Sequence, residues 1–168
     1  TATASFTASD TTVCVGGSLT FTNTSTASSG SPDSVKWTIP GGVPGTSTST
    51  TTVTPTFSTA GTYVVSLIAY KSGNASVAAT KSIRVKPLPT LSVTSPAICS
   101  GNTAQPIASG NSTSYSWTGG LAAVANPTTG VLTTTTTYTV TGTRELCTAT
   151  AVSTVTVNAA PTVSVNSP

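Results

Sequence analysis

Val35-Lys36-Trp37-Thr38-Ile39-Pro40-Gly41-Gly42 is the stretch that decides the fold. Large apolar side chains alternate with polar ones, the period-two pattern of a strand with one buried face. A proline and two glycines then stop it. Val35, Trp37 and Ile39 point inward, and Lys36 and Thr38 point to solvent. Working outward, Leu19/Phe21, Tyr63/Val65/Leu67 and Ile83/Val85 repeat the inward face, with Thr20, Thr22 and Ser82 outside. The second half follows the same plan with Leu91/Val93, Tyr115/Trp117, Tyr138/Val140 and Val155/Val157. Ser116, Thr139, Thr154 and Thr156 take its solvent face. Helix signals are missing. Short alternating segments broken by Gly and Pro predict an all-β chain of immunoglobulin-like sandwiches.

Composition agrees and excludes several functions. The 168 residues suit two domains of about 80 residues each. Charged residues are 5 % of the chain, against about 25 % in an average globular protein, and His and Met are absent. Roughly two residues in five are Thr or Ser, a bias that raises the question of disorder. The Thr residues are interleaved with Val, Leu, Ile and aromatics, and Thr is itself a good strand former, so folded sheets are expected. The net charge of +3 comes from six cations, too sparse for a nucleic-acid footprint even where Lys71, Lys81, Arg84 and Lys86 gather near Tyr70. No apolar run reaches the ~20 residues of a membrane span. The chain starts without Met and shows no signal peptide, so it reads as processed or excerpted.

An internal repeat organises the chain. Pro89-Thr-Leu-Ser-Val-Thr-Ser-Pro96 recurs 72 residues later as Pro161-Thr-Val-Ser-Val-Asn-Ser-Pro168, with six of the eight positions identical. Val85 and Val157 precede the two copies at the same spacing. A fixed period is the mark of a modular array. The expected organisation is a sandwich over 1–86, a short Pro linker over 87–89 and a second sandwich over 90–158. Residues 159–168 then form the first strand of a third module, or a strand donated to a neighbouring subunit through Pro161, Val163, Val165 and Pro168.

Landmarks recur in order in both halves. Cys14-Val-Gly16 answers to Cys99-Ser-Gly101, Trp37 to Trp117, and Gly41-Gly42 to Gly119-Gly120. Thr62-Tyr63-Val-Val65 answers to Thr137-Tyr138-Thr-Val140. Residues of about 3–86 resemble a PKD (polycystic kidney disease) domain in two segments: Trp37-Thr-Ile-Pro-Gly-Gly42 and Phe57-Ser-Thr-Ala-Gly-Thr-Tyr63-Val-Val65-Ser-Leu67. Residues 89–158 are similar to Ig-like repeats of large secreted Bacteroidota proteins, through Cys99-Ser-Gly, Ser114-Tyr-Ser-Trp-Thr-Gly119 and Thr-Thr-Tyr138-Thr-Val-Thr-Gly142. One departure is the lack of the Asp-rich surface often seen in PKD domains. The resemblance implies stalks of surface adhesins, gliding-type surface proteins or accessory modules of secreted hydrolases, and it implies no catalytic activity.

Three cysteines without histidine do not make a metal site. One disulfide plus one thiol fits better and implies an oxidising, extracytoplasmic location. Aligning Val85 with Val157 sets Cys147 opposite Ala75. The second module is therefore expected to close Cys99–Cys147, for about 4 kcal/mol in the chain-entropy model. Cys14 is left unpaired, either as a buried inert remnant or as a thiol that bonds a neighbouring subunit.

Catalytic groups are not in evidence. Asp10, Asp33 and Glu145 sit far apart in sequence, and no Ser has a His to activate it. Neither a cofactor nor a metal is expected, and the chain is not expected to be an enzyme. Asp10-Thr11-Thr12 and Asp33-Ser34-Val35 look like the O-glycosylation acceptor pattern of Bacteroidota, with Thr11 and Ser34 as acceptors. An ordinary Asp turn reads these segments equally well. Asn23, Asn74 and Asn111 fit the N-glycan pattern. The expected role is a stiff, non-catalytic spacer in an extracellular bacterial adhesin or fibre, with neighbouring repeats or copies of itself as partners. The alternative is a carbohydrate-binding or accessory module of a secreted hydrolase. Its polysaccharide ligand would meet Tyr70, with Phe6 and Phe57 as further candidate surface rings.

Overall fold

The structure, a computed structural model, describes residues 1–163, and it is all β apart from a single 3-10 turn at Thr118–Gly120. The chain divides into two compact units, Thr1–Pro87 and Leu88–Pro168.

The strands of the first unit follow the alternation read above. The principal ones, leaving aside five two-residue strands, are β1 (Phe6–Ala8), β2 (Thr12–Cys14), β3 (Phe21–Asn23), β4 (Ser34–Thr38), β5 (Thr46–Ser47), β6 (Thr52–Val53), β7 (Gly61–Lys71) and β8 (Ala79–Lys86). The larger sheet has the order β2-β8-β7-β4-β5, and the facing sheet the order β1-β3-β6. The long strand β7 is the spine: it pairs antiparallel with β4 (Leu67↔Trp37, Ala69↔Val35) and with β8 (Tyr63↔Ile83). Because side chains alternate across a strand, these registers bring Val35, Trp37, Val65, Leu67 and Ile83 onto one face. All five are buried there. The facing sheet contributes Phe6, Phe21 and Val53. Phe6 meets Trp37 edge-to-face at 5.2 Å between ring centres and 73° between planes, the geometry favoured by opposed ring quadrupoles.

The second unit repeats the plan with less apolar volume. Its strands are β9 (Leu91–Val93), β10 (Ala97–Cys99), β11 (Ala108–Gly110), β12 (Ser114–Trp117), β13 (Thr136–Arg144) and β14 (Cys147–Asn158). β10-β14-β13-β12 form one sheet, and β9 pairs with β11. The core is Trp117, Tyr138, Val140, Val155, Ala104 and Ala108, with Leu91, Val93 and Tyr115 half-buried against it. Hydroxyls fill part of the interior. Ser153 is fully buried and donates to the Thr94 carbonyl at 2.7 Å. Buried Thr129 accepts from the Ala104 amide and donates to the Gly130 carbonyl.

Two devices recur and explain why the landmark residues travel together. Each buried indole donates to a loop carbonyl that follows its strand, Trp37 to Ser49 and Trp117 to Val124, both at 2.9 Å. A buried indole N–H needs such a partner. Each Gly-Gly turn also lies against the landmark tyrosine. Gly41 and Gly119 have φ of 73° and 74°, and a Cβ on either would overlap the ring of Tyr63 or Tyr138. Glycine is required at both positions by backbone angle and by space. In the first unit Tyr63 also closes a corner, its hydroxyl donating to the Thr59 carbonyl at 3.0 Å.

Candidate functional site

The sequence-predicted site residues fall in different places, and the cysteines overturn an expectation. Cys99 is a free, exposed thiol, whereas Cys14 and Cys147 are the disulfide-bonded cysteines. The expected Cys99–Cys147 bridge and unpaired Cys14 are therefore corrected. The reason lies in strand register. Cys99 ends β10 opposite Asn158, the last residue of β14, and Cys147 is the first residue of the same twelve-residue strand. At about 3.3 Å per residue the two ends stand about 36 Å apart. A disulfide needs Cα atoms within about 7 Å. The sequence alignment carried no sign that the Cys99 strand would run parallel to β14 and pair with its far end.

Both candidate acceptor segments are held by their aspartates. Asp10 Oδ1 accepts from the amides of Thr12 (3.0 Å) and Thr11, an Asx turn that leaves Thr11 exposed. Those amides hold the Asp10 carboxyl below its ordinary value, Thr12 contributing most. Asp33 pairs with Lys71 at 2.7 Å and accepts from the Ser72 amide at 2.7 Å. Lys71 first, and then that amide, lower its carboxyl likewise. Ser34 beside it is exposed at the start of β4. Both aspartates thus serve local structure. Pro161 and Val163 are exposed and outside any strand, and Val165 and Pro168 lie outside the described residues.

Aromatic accounting also changes. Phe6 and Phe57, expected as candidate surface rings, are buried, Phe57 completely. Phe57 stacks on Tyr63 at 6.0 Å, and Phe6 joins the Trp37 cluster. Tyr70 stays half-buried on the outward face of β7. It lines an open groove of about 720 Å³ with Ser34, Lys36, Thr46, Ser47 and Thr48. This groove was missed, although period two already placed Lys36 on the solvent face. What the sequence could not give is the pairing of β5 along the edge of β4, which builds the groove wall. Among the described residues, no three His, Cys, Asp or Glu side chains come together as a metal site. Nor is any helix there long and apolar enough to cross a membrane.

Sandwiches with this strand order, a buried strand Trp and a corner Tyr define the immunoglobulin-like class. Within it, residues 3–85 match the PKD domain family, so the first unit holds a PKD domain. PKD domains are typically extracellular, and PKD and Ig-like folds are usually non-catalytic. Among solved structures the chain is similar to the three N-terminal domains of the bacteriophage RB49 highly immunogenic outer capsid protein. Identity there is 17 % with a TM-score of 0.39, covering 94 % of this chain and 59 % of that one. It is also similar to fibronectin(III)-like modules of Clostridium thermocellum CbhA (12 % identity, TM-score 0.41, 95 % of each chain). A third is a structure of carbohydrate-binding modules from the β-sandwich superfamily (20 % identity, TM-score 0.46, 84 % of this chain and 54 % of that one). No curated protein sequence matches the chain.

Proposed function

We propose that this chain is a non-catalytic run of structural repeats in an extracellular bacterial surface adhesin or fibre, where it acts as a spacer. The observation that carries this reading is the placement of the rings. Trp37, Phe21 and Phe57 are wholly buried and Trp117 and Tyr138 nearly so, which leaves no coplanar aromatic platform for a ligand. In the first unit the two acids are tied into separate turns, Asp10 with the Thr11 and Thr12 amides and Asp33 with Lys71 and the Ser72 amide. A surface with few charges needs other hydration, and O-glycans on Thr11 and Ser34 would supply it. Subunits or successive repeats would associate through residues 161–168, the second copy of the Pro89–Pro96 strand, by strand addition.

A second reading, a carbohydrate-binding module, is favoured by the groove at Tyr70. A ring edge, an ammonium and a row of hydroxyls are groups that can hold a sugar. Affinity electrophoresis through gels containing xylan, mannan or mixed-linkage glucan separates the two. Spacer function predicts unchanged mobility. Retardation that disappears in Tyr70→Ala would replace it with sugar binding.

A further inference from the structure

All of the chain's net charge lies in its first unit, where Lys36, Lys71, Lys81, Arg84 and Lys86 stand against Asp10 and Asp33. The second unit holds Arg144 against Glu145. Lys71 is paired with Asp33 at 2.7 Å, and Lys81 lies over the Phe6 ring. Lys36 Nζ makes no hydrogen bond or ion pair among the described residues. It lines the groove at Tyr70, and no acid does.

That groove exists because β5 is short. Its two residues pair with Trp37 and Thr38 only, so Ser34, Val35 and Lys36 have no strand on that side among the described residues. Past Ser47 the chain is turned away, the Ser49 amide donating to Ser47 Oγ and the Trp37 indole donating to the Ser49 carbonyl. Val35 is buried in the core, so it offers the groove main chain alone. Four lining hydroxyls are unengaged: those of Ser34, Thr46, Thr48 and Tyr70 make no hydrogen bond among the described residues.

We infer that this groove takes a uronic-acid unit of an acidic polysaccharide. Tyr70 pairs with Ser34 and Ile68 with Lys36, so Lys36 stands diagonally across from Tyr70 on the sheet. Diagonal neighbours of this kind are about 7–8 Å apart and meet through long side chains. One sugar ring spans that gap, its C–H face on the half-buried phenol ring and its exocyclic carboxylate at the Lys36 ammonium. The hydroxyls of Thr46 and Thr48 remain for the sugar's own. An acidic peptide fits less well. Strand addition uses a run of main-chain bonds, and only three residues of the β4 edge are open. The preference for acid comes from one solvent-exposed ion pair, which amounts to no more than about fivefold. The inference rests on the second reading above, which it narrows from sugars in general to acidic ones.

The test is an NMR titration of the isotopically labelled 168-residue chain, made without glycans because Ser34 lines the groove. The probes are oligogalacturonate and its methyl ester, which keeps the ring and removes the charge. The expected result is that amides of residues 34–36, 46–48 and 70 shift with both, and that the acid binds about two- to fivefold more tightly. Lys36→Gln removes that difference, whereas Arg144→Gln, an equal loss of charge in the second unit, keeps it. Tyr70→Ala weakens both ligands together. Equal affinities for acid and ester would overturn the inference and leave the sugar-binding reading standing; shifts with neither would end both. An equal loss in Arg144→Gln, or the same shifts from a tetra-aspartate peptide, would mean that charge alone is read, and would overturn it as well.

Discussion

Two serines of the second unit show how the same hydroxyl can help or harm. Ser153 Oγ is buried and satisfied by the Thr94 carbonyl, whereas Ser112 Oγ is buried with no partner, wedged against Gly142. A satisfied hydrogen bond contributes about 0.5–1.5 kcal/mol, while an unmade buried one costs a comparable desolvation penalty. Ser153→Ala is expected to destabilise by about 1 kcal/mol and Ser112→Ala to stabilise by up to about 1 kcal/mol, read from urea unfolding midpoints. The same residues mark a limit of sequence reading. Trp37, Val65 and Val140 were legible as core because apolar residues at period two have no better place. Ser153 shares the period-two face of Val155 on β14, but its type gave no sign that it would be buried, and the position of the Thr94 carbonyl is what satisfies it there.

At the scale of elements, β13 and β14 meet in a two-residue turn, Glu145-Leu146, with φ of 50° and 70°. Such hairpin turns favour Asn-Gly or Gly-Gly, because both central residues take positive φ. Ser72-Gly73 in the first unit half obeys the rule, but Glu145-Leu146 carries no turn signal at all. That hairpin was accordingly invisible in the sequence, although the strands on either side of it were read. Leu146 is 88 % exposed, so its side chain gives little back for the strained backbone. Leu146→Gly is expected to stabilise the second unit by about 1 kcal/mol, the usual cost of left-handed backbone on an L-residue; thermal melting of the two proteins side by side would show it. The parallel edge strands β2 and β10 were equally unmarked. Missing them produced the wrong cysteine pairing, since two strands of unknown direction can be aligned by sequence but not by end.

For the whole molecule, each unit carries its own core, and both tryptophans and all three phenylalanines are buried in building it. The repeat period, the Trp and Gly-Gly landmarks and the alternation together gave the class of fold, because each encodes packing that any such sandwich must satisfy. Function was less legible, since the proposed spacer role would call for no particular surface residue. The most direct measurement follows from that indifference. In the intact secreted protein, residues 1–158 would be replaced by two unrelated β-sandwich domains of similar length, and secretion, surface display and attachment would be compared with the parent. The account predicts that all three are retained. Loss of attachment by a well-folded, normally displayed chimera would contradict it, and would place a binding function in these residues.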